Sequence, residues 1–552
     1  MLQRNHVLKL SLALVTVSAL LLGLIACAPP EEPATEPPAP VEEEPVEEEP
    51  IEEEPVEPVE PVEEEVDITE NEAVYAVASV YPSVDPDLML TFDHNLGFQV
   101  YETLTLWDPD DGVMPNLATS WESNEDGTEW TFYLREGVTF HDGTPFTAEA
   151  VKFSYERTIE MGLMAYYLDT VEEMEVVDDH TFRLVLHTPR PMDKVASAGY
   201  GMFIVNPNLA DKPDGWLEEG NDAGTGPYMI DRYEPGARVE VVRYPDYWRG
   251  WEEGQFTRVV YEFVEDTAVR EQMIRSGEAN VAIGMPWSSY ESLAALEGIR
   301  VETPQIFYNV NFLLHLSRAP LDDVQVRRAL SYSFPYEDVQ QAIYGGQATI
   351  AQGFVPVGLW DPPADWETYT YDPELARELL EDAGYADGME LKMRVVVGNV
   401  EIMEIAQLWQ SELAAIGVDV SITEISIGAA WDEMYDPDTE YDIHAFTWAP
   451  GWASPYEFTI MFHSANTFAP FMGYDNPEVD SLMMEALAAE ALGDLEEANR
   501  LHTEVQRILM DEGAAIFVLD VPEFYAFRSD TVGFVANPNY HDVIFWYDLR
   551  LE

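Results

Sequence analysis

The chain contains a single cysteine, Cys27, among 552 residues. No internal disulfide can brace it, so whatever it folds into must stand on a packed apolar core. The material is there, in 14 Trp, 28 Tyr and 24 Phe and an apolar fraction of 47%, which separates the chain from disordered acidic sequences.

Charge is distributed unevenly. Residues 1–27 hold Arg4, Lys9 and no acid, whereas residues 28–70 hold 19 acids and no base, and the remaining 482 residues carry 86 acids against 25 bases. A nucleic-acid partner is excluded, because phosphate recognition needs a basic footprint. At roughly 150 residues per domain, 482 residues suggest about three domains. Five lysines stand against 22 arginines, a composition resembling salt-adapted proteins, whose self-repulsion is screened by ions. The melting temperature is therefore expected to rise from low to molar salt; a flat or falling trend would oppose this.

After Arg4, His6 and Lys9 the sequence runs apolar from Leu10 to Ala26, short for a membrane-spanning helix and suited to a secretory signal. Leu24-Ile25-Ala26-Cys27 resembles the bacterial lipobox, in which cleavage before the cysteine exposes its sulfur for lipid attachment. The competing reading is an uncleaved anchor with an incidental cysteine. Residues 1–26 are thus expected to be a lipoprotein signal peptide, with Cys27 the lipidation site. Residues 27–71 follow as a disordered tether, since repeats such as Val41-Glu42-Glu43-Glu44-Pro45 combine proline stiffness with glutamate repulsion. A protein-binding role for the repeat is the alternative.

The folded part reads as α/β. Trp130 to Leu134 is a strand between turn residues, and Thr147 can cap a helix with Ala150, Val151, Ser154 and Tyr155 on one face. Asp372 and Pro373 start a helix that ends at Gly384. A strand Leu391 to Val397, a helix bearing Ile405, Leu408, Trp409 and Leu413, and a strand Val418 to Ile422 make a β-α-β unit with parallel strands. Residues 477–511 read as helices and Ala514 to Leu519 as a returning strand.

Enzyme signatures are missing from the sequence. It has no HExxH, CxxC, Walker loop or G-x-S-x-G elbow. His180 and His187 lie on an alternating stretch without clustered carboxylates, so neither a metal nor a cofactor is expected. Among 86 acids some pair will always look catalytic, and acid pairs carry little information.

The run from Met114-Pro115-Asn116-Leu117-Ala118 through Asp126-Gly127-Thr128 to Phe140-His141-Asp142-Gly143-Thr144-Pro145-Phe146 resembles the signature of the family 5 extracellular solute-binding proteins of ABC importers. Gly224-Thr225-Gly226-Pro227-Tyr228, Arg243-Tyr244-Pro245-Asp246-Tyr247-Trp248, Val326-Arg327-Arg328-Ala329-Leu330 and Asp475-Asn476-Pro477 follow in order. The resemblance implies a type II periplasmic-binding-protein-like α/β fold, two lobes with a hinge and an extra inserted domain. Lobe I would combine residues 72–108, 226–300 and 515–552, the inserted domain would be 109–225, and lobe II would be 301–514. It implies a monomer that takes a solute between its lobes and delivers it to ABC permease subunits in the membrane, outside the cytoplasm, with no bond made or broken. Most of the signature residues have a structural explanation: Gly127, Gly137 and Gly143 as turns, Trp121 and Phe132 as core, His141 as a turn hydrogen-bonder.

In the peptide-binding members, an Asp three residues past the Trp of a strand like Tyr441 to Trp448 pairs with the peptide amino terminus, and an Arg three residues before it assists. Here those positions are Gly451 and Ala445. Aromatics cluster instead at Trp431, Trp448, Trp452 and Tyr456, with Trp287 and Tyr81 as further candidates. Indole faces stack on sugars, apolar side chains or quaternary ammonium groups. The expected ligand is uncharged or cationic, an oligosaccharide ahead of a peptide. The competing class is a surface-tethered hydrolase acting on sugars or peptides, which would need two carboxyls across a cleft.

Overall fold

The computed structural model describes residues 71–78, 83–89, 94–465 and 468–552. Cys27, the signal and spacer residues up to 70, and Tyr81 lie outside the described residues. The described residues all belong to one compact unit, Val66–Glu552. Among them no helix is long and apolar enough to cross a membrane.

Three main sheets organise this unit. The first has seven strands in the order Ile299–Glu302, Tyr525–Arg528, Val281–Ile283, Glu72–Val77, Arg258–Phe263, Arg238–Arg243, Tyr228–Glu234. Its central strand Glu72–Val77 runs parallel to both neighbours, and Ala73, Tyr75, Ala76 and Val77 are buried. That near-continuous apolar run is what a strand covered on both faces requires.

The second sheet has six strands, in the order Thr349–Ile350, Ala515–Pro522, Gln305–Leu314, Ile443–Trp448, Met389–Val396, Val418–Ile425. Met389–Val396 and Val418–Ile425 are parallel and flank the helix Val400–Ala415, which buries Ile405, Trp409 and Leu413, so the expected β-α-β unit is present. Leu408 points outward instead and is exposed.

The third sheet, four antiparallel strands in the order Ala118–Ser123, Glu129–Leu134, Thr181–Leu186, Val171–Asp178, holds the signature residues. Trp130, Phe132 and Leu134 alternate inward, and the helix Ala148–Met161 packs Tyr155 edge-on against Phe182 at 5.9 Å. Thr147 stands at its N-cap in extended geometry but makes no side-chain capping bond. Asp372 does cap as expected, accepting from the Leu375 N–H at 2.9 Å.

The expected start of the last lobe I segment at residue 515 differs from the sheet pairing: Ala515–Pro522 pairs with Gln305–Leu314 in the six-stranded sheet, and the chain enters the seven-stranded sheet only at Tyr525. An all-buried apolar strand, AIFVLDVP, suits the centre of either sheet, so its composition does not say which one it joins.

The signature motifs meet at one node. Glu102 is buried and accepts from Thr225 Oγ1 at 2.8 Å, Tyr247 Oη at 3.1 Å and Trp248 Nε1 at 2.9 Å. Burial raises its carboxyl to about 6 against these three bonds. His141 is bonded to Asp222 at 2.5 Å and to the Gly226 carbonyl at 2.9 Å, a structural role in keeping with the reading of it as a hydrogen-bonder.

Candidate functional site

The chain crosses between the seven- and six-stranded sheets at two adjacent places, residues 303–304 and 523–524. They run side by side, tied by the Glu523 N–H to the Pro304 carbonyl at 3.0 Å. Two short neighbouring crossovers form a hinge, since few backbone torsions separate the bodies they join. Beside it Glu523 and Asp542 hydrogen-bond each other, and burial raises both carboxyls above the usual range.

Trp287 sits against this hinge. It opens the short helix Trp287–Ser289, and its ring lies 5.4 Å from Phe524 and 5.8 Å from Tyr344.

The other described aromatic candidates gather at the end of the strand Ile443–Trp448 and the loop after it. Phe446 and Trp448 project from one face and stack at 5.6 Å, as residues two apart on a strand must share a face. Trp431, from the helix Ile427–Met434, meets Phe446 edge-on at 6.4 Å. Trp448 is half-buried, with its Nε1 donating to the Glu457 carbonyl at 2.8 Å. Trp452 is 1% exposed and lies 6.4 Å from Tyr456, itself buried. Trp431 and Trp448 therefore keep accessible surface, while Trp452 and Tyr456 are buried.

The loop brings in a residue that sequence reading missed. Glu457 is 1% exposed, and its Oε2 accepts from the Gly451 N–H at 3.0 Å, Tyr166 Oη at 3.3 Å and Tyr167 Oη at 3.4 Å. A Cβ on Gly451 would lie 1.7 Å from Tyr167 Oη and 3.2 Å from Glu457 Oε2, so the bare glycine is what admits both groups. Burial lifts the Glu457 carboxyl to about 7 against those bonds and the charge of Arg190. Arg190 itself is committed to the carbonyls of Tyr166 and Tyr167 and to Asp169.

Cross-strand register extends this wall. Asp520, Asn309 and Trp448 are successive partners across the six-stranded sheet. Asp520 is buried and its carboxyl is raised to about 7 by desolvation, with Oδ2 accepting from the Val357 N–H at 3.0 Å. Among the described residues no group of three or more His, Cys, Asp or Glu is placed to hold a metal ion.

Residues 112–469 match the family model of the bacterial extracellular solute-binding proteins, family 5. The chain is 30% identical over 473 residues to the probable D,D-dipeptide-binding periplasmic protein DdpA of Escherichia coli, covering 82% of this chain and 89% of that one. It is 26% identical to the heme-binding protein A of Haemophilus influenzae, over 86% of this chain and 92% of the relative. Among solved structures, the periplasmic binding protein DppA of Helicobacter pylori in complex with the peptide STSA superposes with a TM-score of 0.77 at 23% identity, over 87% of this chain and 98% of that one.

Proposed function

Because this chain belongs to the family 5 bacterial extracellular solute-binding proteins, we propose that it captures a short peptide or a related amine-bearing solute between its two lobes. It would then hand the solute to an ABC permease. Membership in a family of binding proteins displaces the hydrolase alternative. The observation that carries the reading is the pair of adjacent crossovers joining two separate sheets in a chain similar over 82% of its length to a binding protein. A solute touching both lobes only when they close stabilises closure by that difference in affinity.

The lobes we propose run from residue 72 to about 302 with 525–552, and from 305 to 522, with the four-stranded region 109–225 inserted in the first. Trp448 and Trp431 would offer the accessible stacking surface, with Trp452 and Tyr456 supporting them and Trp287 guarding the hinge. An oligosaccharide remains the competing ligand class. The relatives named for peptides support the peptide reading. The N-terminal pattern supports lipid attachment at Cys27, with the acidic spacer holding the folded part away from the membrane.

Calorimetric titration with a panel of dipeptides and tripeptides against a panel of cello- and manno-oligosaccharides tests this. Micromolar or tighter peptide binding with no sugar response is expected; sugar binding without peptide binding would overturn the peptide reading.

A further inference from the structure

The hinge carries two acids in contact. Glu523 lies within one of the two crossovers: its N–H donates to the Pro304 carbonyl of the other at 3.0 Å, and its Oε1 accepts from the Phe524 N–H at 3.3 Å. Its carboxyl also hydrogen-bonds that of Asp542, which is buried. Ionised carboxylates only accept, so a hydrogen bond between two of them holds a proton. Among the described residues no Lys or Arg forms an ion pair with either acid.

The partner carboxyl is held in place from the other side. Asp542 has a φ of +60°, the only positive value on a non-glycine residue among the described residues, a conformation that Asp adopts at a cost its surroundings must offset. The helix His94–Val100 supplies the offset: the Asn95 amide donates to the Asp542 carbonyl, His94 Nε2 to the His541 carbonyl at 2.7 Å, and Gln99 Nε2 to the Ile544 carbonyl at 2.9 Å. Asn95 also donates to Tyr75 Oη of the central strand of the seven-stranded sheet at 3.3 Å. Asp542 is therefore fixed to the body built on that sheet, whereas Glu523 belongs to the crossover. The titratable groups facing the pair are Tyr525 after the crossover, Tyr308 from the six-stranded sheet, and His541, whose ring stacks on Tyr308 at 5.7 Å. Burial holds both phenols above their usual range, and burial with His94 holds the His541 ring well below its own, so all three are neutral at pH 7 and supply no counter-charge. Glu401, which acts on Tyr308 from the helix Val400–Ala415, is one more acid.

We infer that Glu523 and Asp542 form a proton-operated catch on the hinge: one shared proton fastens the crossover to the body of the seven-stranded sheet, and loss of that proton sets two negative charges against each other and frees the crossover to bend. The arrangement with the catch made is the closed one, since Lys194 bonds Glu490 and Trp287 packs on Tyr344 across the two bodies. Closure thus takes up a proton that opening releases, and by linkage the closed population falls as pH rises through the raised range of the pair. Glu523 is half-buried, which gives the proton a route to solvent. The inference rests on the reading of two lobes closing about these crossovers and is independent of the chemistry of the solute.

Small-angle scattering of the native protein, Glu523→Gln and Asp542→Asn tests this, without solute, from about pH 5 to about pH 9 and in about 1 M salt to screen the surface acids. Each carboxamide keeps a hydrogen bond to the remaining carboxylate but carries no titrating proton, and Asn accepts a positive φ as Asp does. Over that range the native radius of gyration should rise reversibly by about 1 Å on about 23 Å, while both variants stay compact throughout. A native radius that is flat with pH, or variants that expand in step with the native protein, would overturn the inference. The native arm needs no variant, so a folding defect in either substitution leaves it decisive. Because no solute is present, failure here is distinct from failure of the binding reading, which the peptide and sugar titrations decide.

Discussion

Gly224→Ala is expected to prevent the chain from accumulating in folded form. A Cβ at this position falls 1.8 Å from the Val100 carbonyl oxygen, 2.7 Å from its carbon and 3.1 Å from Tyr101 Cδ1. Real atoms do not approach so closely, and the obstacle is backbone at the end of the helix His94–Val100 rather than a side chain that can swing away. The contact is fixed on both sides, since the Gly226 N–H donates to the Val100 carbonyl at 2.9 Å and the His141 N–H to the Gly224 carbonyl at 3.0 Å. Relief would need the segment 222–227 to lift off the helix, breaking the Glu102 node through Thr225. A loss of about 4 kcal/mol or more places the substitution in the exceptional class. Gly112→Ala is the control: its φ of +74° makes any side chain strained, but a Cβ there meets nothing within 4 Å, so a cost of about 1 kcal/mol is expected. Soluble yield and thermal melting compare the two; a Gly224→Ala protein melting within a few degrees of native would show that the close approach is not needed.

That contrast indicates what a sequence can reveal. Gly-Thr-Gly was legible as a landmark, but the reason for its glycines is a carbonyl more than 120 positions away. Local chemistry was legible where a rule acts within a few residues. Asp372 with Pro373 gave a helix start because cap and helix are neighbours, and the alternation of Trp130, Phe132 and Leu134 gave a strand because burial on one face has period two. The destination of Ala515–Pro522 was not legible, because an apolar strand satisfies the interior of either sheet equally.

The site shows the same division. Trp448 and Trp431 were visible as large aromatics near the end of a strand, and nothing in their spacing separates them from Trp452, which the fold encloses. Glu457 was one acid among 86. Its distinction comes from a glycine six residues earlier and from two tyrosines of the inserted region, brought together only by the tertiary fold. The missing charge at position 451 was readable, whereas the carboxyl filling part of that space from another position was not.

The second large effect is expected at Glu490, near the end of the helix Pro477–Ala491. This buried carboxylate accepts from Lys194 Nζ at 2.7 Å, Ser454 Oγ at 2.7 Å and His502 Nε2 at 2.8 Å. Lys194 belongs to the inserted region and Ser454 to the loop that carries Gly451, so one side chain fastens both to the helix. Burial alone would raise its carboxyl, but the Lys194 charge and the His502 contacts outweigh it and hold the carboxyl at about 2. A folded value below the unfolded one stabilises the protein above the unfolded value, and that stabilisation is lost as pH falls through the folded one. From about 4.5 down to about 2 the contribution is about 3 kcal/mol. Glu490→Gln keeps the shape and removes the charge, leaving Lys194 with a buried partner that no longer compensates it. Denaturant unfolding should show the variant about 3 kcal/mol less stable at pH 7, with the gap closing as pH approaches 2 because the native protein loses the same charge there. Lys194→Met tests the fastening from the other side. It leaves Ser454 and His502 bonded to Glu490 but removes its main counter-charge and cuts the tie to the inserted region, so the melting temperature should fall and solution scattering on the still-folded protein should report a larger radius of gyration. Equal stability of Glu490→Gln and native protein at pH 7 would show that desolvation cancels the pair, and an unchanged radius in Lys194→Met would show that other contacts hold the lobes together.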